Sequence, residues 1–99
     1  MSNIRNDSTT KLFETIRNLS TVDECYAFFE DLCTIKEIQD MTQRFETVML
    51  LDKGMSYQQI ADTVGVSTAT ISRVNRCLEY GAGGYRNALD KIASEDKKL

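Results

Sequence analysis

Apolar positions recur every three or four residues along almost the whole chain, the period of an α-helix rather than a strand. Leu12, Phe13, Ile16 and Leu19 form one stripe, on a helix that starts near Ser8 or Thr9. Cys25, Tyr26, Phe29, Leu32 and Cys33 form a second. The longest pattern carries Ile35, Ile38, Met41, Phe45, Val48 and Met49 and ends before Gly54. Three segments open on the same start signal. Thr21 with Glu24, Thr34 with Glu37 and Ser56 with Gln59 have capping-box spacing, in which a hydroxyl and a carboxylate or amide satisfy each other's orphan backbone N–H groups. No alternating apolar–polar run occurs. The pattern predicts an all-α chain of about six short helices, each too short to be stable without packing.

The stripes are wide. Phe28 and Phe29 are adjacent, as are Leu50 and Leu51, so both sides of those helices carry apolar surface. A chain of 99 residues has room for one domain, spanning 1–99, and cannot bury that much surface alone. The surplus predicts a homodimer.

Composition removes most chemistry. The chain has no histidine, hence no Ser-His-Asp or Cys-His nucleophile and no common zinc-ligand set. No catalytic residue, metal site or cofactor is expected. Cys25, Cys33 and Cys77 form no C-x-x-C pair and read as buried thiols serving as small apolar side chains. The apolar run Val48–Leu51 is far short of the roughly 20 residues that cross a bilayer, so no membrane partner is expected. The first residues have no apolar segment of the signal-peptide type, which makes the cytoplasm the expected location.

From Tyr57 the chain reads YQQIADTVGVSTATISRVNR, two short helices about a tight turn. Ile60 and Ala61 face inward, Val64 ends the first helix, Gly65 turns the chain and Val66 plugs the corner. Ser67 caps the second helix, whose inward residues are Ile71, Val74 and Leu78. These offsets are those of a helix-turn-helix unit, here over about 56–79. Glycines 81, 83 and 84 turn the chain into a last helix with Ala88, Leu89 and Ile92, and the tail Ser94–Leu99 reads as frayed and solvated.

Net charge is −3, which opposes a nucleic-acid partner, but the charge is unevenly placed. Residues 1–62 hold eleven acidic and six basic groups, whereas 63–99 hold four acidic and six basic. Between Asp62 and Glu79 there is no carboxylate. Thr68, Ala69, Ser72, Arg73 and Arg76 fall on the side of the second helix away from Ile71, Val74 and Leu78. Small side chains permit close approach to a major groove, and arginines fork onto guanine or phosphate. Lys53, Gln58 and Gln59 either reach backbone phosphates or are ordinary polar surface residues. Double-stranded DNA is therefore the expected partner. The alternative is a protein-interaction module on a helix-turn-helix scaffold that no longer binds DNA, which the overall acidity favours.

Thr34, the stretch Thr42–Phe45, Leu50–Ser56, Ala69–Arg73 and Leu78 together resemble the Trp repressor superfamily, in its YerC/YecD type. That likeness runs on through Asn75–Tyr85 and back into the first two helices. It implies an interlaced all-helical homodimer, with dimerisation helices about 9–53 and 84–95 and one helix-turn-helix head per subunit. Two such heads would read a palindromic operator with half-sites about one helical turn apart, as a transcriptional regulator of the repressor kind. Thr34, Arg44 and Arg73 match positions that contact the corepressor in the tryptophan-binding member. Cys77 stands where that member has a serine, and Val74 where it has a glycine lining the indole site. A branched side chain there is expected to fill the space of an indole ring. The resemblance thus implies DNA binding without tryptophan as corepressor, or with a different small effector.

Overall fold

The computed structural model describes residues 4–97, all of whose regular structure is helical. Met1–Asn3, part of the start read above, and Lys98–Leu99, the end of the tail, lie outside the described residues. The order is α1 (Asp7–Arg17), α2 (Val22–Leu32), α3 (Ile35–Asp52), α4 (Tyr57–Val64), α5 (Thr68–Tyr80) and α6 (Gly84–Lys97). The chain divides into two compact units, residues 1–38 and 39–99.

Helix starts follow side-chain chemistry. In the first unit Asn6 caps α1, its side-chain oxygen accepting from the Thr9 N–H at 2.8 Å, so α1 begins slightly before the apolar stripe does. The Thr21–Glu24 box forms reciprocally at the start of α2. At α3 the Thr34 hydroxyl accepts from the Glu37 N–H while the Glu37 carboxylate accepts from the Thr34 N–H, at 3.1 and 2.8 Å. Phe28 and Phe29 meet edge to face with centroids 5.7 Å apart. Neither α1 nor α2 buries a single residue. Phe13, Val22, Tyr26, Leu32 and Ile35 all stay at least half exposed, Val22 at 71% and Ile35 at 76%.

The second unit has an interior. Val48, Ile60 and Ile71 have no solvent contact, and Val74 and Leu89 very little. Val48 from α3, Val74 from α5 and Leu89 from α6 form one cluster, with Phe45, Met49, Leu51, Leu78 and Tyr85 packed around it. Thr47 is also fully buried, its hydroxyl donating to the Gln43 carbonyl at 2.8 Å, so the core contains no unpaired hydroxyl there. Two contacts tie α6 back to α3. Phe45 and Tyr85 pack at a centroid distance of 6.5 Å, and Arg86 Nη1 donates to Asp52 Oδ1 at 2.9 Å.

Two expectations need correction. The tail was expected to fray from Ser94, yet α6 continues to Lys97. No proline or glycine follows Gly84, so nothing in the backbone stops the helix. The cysteines were expected to be buried, but Cys25 and Cys33 are only partly so and Cys77 is exposed. Cys77 lies on the flank of α5, off the Ile71–Val74–Leu78 stripe.

Among the described residues no helix is long and apolar enough to cross a membrane. The corner between α4 and α5 rests on Gly65, at φ +84°, whose N–H donates to the Ala61 carbonyl at 2.9 Å. A methyl group added there would meet nothing within 4 Å, so the penalty for Gly65→Ala is backbone strain alone. We expect that substitution to destabilise by roughly 1–2 kcal/mol, read as a lowered urea midpoint. An unchanged midpoint would show that the corner does not need the left-handed conformation.

Candidate nucleic-acid interface

The helix-turn-helix unit is built from both sides of the Gly65 corner. The Ser56 hydroxyl and the Gln59 amide form the reciprocal box that starts α4, with Ser56 Oγ accepting from the Gln59 N–H at 3.2 Å. Ile60 is buried, Ala61 and Val66 are partly so, and α4 packs against α5 through these small and branched residues. Ser67 caps α5 by accepting from the Thr70 N–H at 3.1 Å, and its own hydroxyl donates to Thr70 Oγ1 at 3.1 Å. Ile71 and Val74 then turn into the core.

The opposite face of α5 is open. Thr68, Ala69, Ser72, Arg73 and Arg76 are all exposed, as their spacing predicts. The two arginines differ. Arg76 makes no hydrogen bond or ion pair with any described residue, whereas Arg73 Nη2 donates to Thr70 Oγ1 at 3.4 Å, back along the helix. Gln58 is also exposed, on α4, and its Nε2 donates to Asp62 Oδ1 at 3.0 Å. The side-chain partner of Gln58 was not evident from the pattern. Its signal was the i, i+4 spacing of the two residues on one helix.

Arg73 also borders an open groove of about 540 Å³ within the second unit. Arg44 from α3 lines the same groove, with Gln43, Thr70, Val74, Cys77 and Tyr85 among its neighbours. Two of the three side chains matched to a corepressor position are thus brought together, and the Asp40 carboxylate lines the groove beside the two guanidiniums. Thr34 belongs to the other unit, where its hydroxyl is engaged with Glu37. Val74 packs in the cluster with Val48 and Leu89 and also lines this groove.

The family model described as Trp repressor protein matches residues 7–93. The chain belongs to the Trp repressor family. A curated relative, the uncharacterized protein YerC of Bacillus subtilis, is 48% identical over 89 residues, covering 90% of this chain and 86% of that protein. The crystal structure of a TrpR-like protein from Eubacterium eligens superposes with a TM-score of 0.88 at 44% identity, over 91% of this chain and 93% of that one. A second solved structure, from Staphylococcus aureus, gives a TM-score of 0.88 at 40% identity, over 94% and 96% of the two chains. This Trp repressor family member is accordingly a YerC-type, all-α protein, and its family is one of helix-turn-helix DNA-binding regulators rather than enzymes.

The N-terminal end of α5 depends on Ser67. Replacing it with alanine removes the acceptor for the Thr70 N–H, and we expect Ser67→Ala to lower stability by about 1 kcal/mol in chemical denaturation. Ser67→Asp, which restores an acceptor at the cap, should recover most of it.

Proposed function

We propose that this protein is a cytoplasmic transcriptional repressor that reads a palindromic operator as a homodimer, without tryptophan as corepressor. The observation that carries the reading is the outer face of α5, exposed over its length, free of carboxylates between Asp62 and Glu79, and ending on the unpaired Arg76. Thr68, Ala69 and Ser72 let that face approach base edges closely, Arg76 supplies a fork for guanine or phosphate, and Gln58 and Arg73 flank it.

Dimerisation follows from the first unit. Two helices that bury nothing, with apolar side chains as exposed as Val22 and Tyr26, need cover from a second chain. The interlaced arrangement of the family supplies it in this reading, and places one head on each side of a twofold axis. As for effectors, α5 is already capped by Ser67 and held in the core by Ile71 and Val74, which supports operator binding by the chain alone. A small effector of another kind would bring an anionic group to Arg44 and Arg73 in the groove of the second unit, beside the Asp40 carboxylate.

A duplex containing the operator should bind with a steep negative slope of log K on log salt, because cationic side chains displace counterions from phosphates. A flat slope would favour a protein-binding module on the same scaffold. Arg76→Ala should weaken operator binding by roughly 1–3 kcal/mol if it forks onto a base and by less if it meets phosphate alone. Unchanged affinity in Arg73→Ala, Arg76→Ala and the double variant would refute the assignment of this face. Calorimetry with L-tryptophan should show no binding heat at micromolar concentration, and operator affinity should not respond to it.

A further inference from the structure

Gln58 and Asp62 lie one turn apart on the exposed side of α4, joined by the Nε2–H to Oδ1 bond of 3.0 Å. A phosphate contact is the obvious use for Gln58, but the bond argues against it. A phosphate accepting from that amide would lie close to the Asp62 carboxylate, and the two anions repel.

The same bond suits a base edge. A glutamine amide offers two N–H donors from one nitrogen and a carbonyl oxygen beside them. Asp62 accepts one of the two hydrogens and thereby fixes which end of the amide is nitrogen. When Asp62 takes the hydrogen that points away from the carbonyl, what remains exposed is the second N–H next to the carbonyl, a donor and an acceptor side by side. Adenine presents the complement in the major groove, an N7 acceptor beside an N6 donor. Guanine presents two acceptors, N7 and O6, so one would face the carbonyl oxygen unpaired. Gln58 lies in the first turn of α4, which packs against α5, so the pair belongs to the same head as the reading face.

We propose that Gln58 reads a base, selecting an A·T pair in each half-site, and that Asp62 is the positioning residue that orients its amide. The assignment rests on the regulator reading above. It also assigns a purpose to a carboxylate beside a DNA-facing surface. Asp62 weakens attraction to DNA in general while sharpening discrimination, so its removal moves two observables in opposite directions.

The test is selection of the full chain against a random-duplex pool, with affinity for random duplex measured alongside at several salt concentrations. The wild type should enrich adenine at one position per half-site. Gln58→Ala should lose that preference, a fall of roughly ten-fold or more in discrimination, with affinity for random duplex and the salt slope held. Asp62→Ala should lose it too, yet bind random duplex more tightly. Asp62→Asn, whose carbonyl still accepts the Gln58 hydrogen, should bind random duplex more tightly and keep the preference. The assignment is overturned if Gln58→Ala weakens all sequences evenly with a shallower salt slope, which is phosphate behaviour, or if Asp62→Ala leaves the adenine preference intact. Enrichment of no sequence by the wild type would overturn the regulator reading itself, and this assignment with it.

Discussion

The burial of Ile60 and Ile71 on either side of Gly65 is the constraint on which the second unit depends. Both side chains are sealed from solvent, and the left-handed glycine between the two helices is what lets α4 and α5 pack. Once that corner is fixed, the 3.6-residue period leaves α5 little freedom. Ile71 and Val74 must point inward, so Thr68, Ala69, Ser72 and Arg76 must point out. The outer face is thus a geometric consequence of the inner one, and its chemistry can vary without disturbing the packing that presents it.

Much of this was legible in the chain because the signals are local. Each cap is a side chain bonding a backbone N–H three residues on, so Thr21, Thr34, Ser56 and Ser67 announce their helices without any tertiary information. The helix-turn-helix offsets are similarly short-range. What was not legible depends on direction. Helical spacing turns Val74 inward, where it packs with Val48 and Leu89, but it does not reveal the open groove that the same residue lines. Arg73 could serve either the groove or the outer face by spacing alone, and the Thr70 hydroxyl draws it along the helix toward the groove. Cys77 looked like a core thiol by composition, whereas its angular position on α5 leaves it exposed. The pairing of Gln58 with Asp62 was written in their spacing, but carboxylates on a helix adjacent to a cationic face attract little notice.

Charge illustrates why totals mislead. The chain is acidic overall, yet its acidic groups concentrate before residue 63, while the stretch that carries the reading face has arginines and hydroxyls. Fields at a duplex surface fall off within about 10 Å at moderate salt, so the local arrangement governs contact. Placing most of the negative charge in a different part of the chain also limits indiscriminate attraction to nucleic acid.

The absence of any buried residue in α1 and α2 has a thermodynamic corollary. A unit with no interior gains little free energy from its own collapse, so its order is linked by mass action to whatever surface completes it. Where that surface is a second copy, as proposed, dilution should loosen the first unit well before it disturbs Val48, Ile60 and Ile71, whose shielding is internal to the chain. Abundance in the cell would then act as a dial on how much of the polypeptide is ordered.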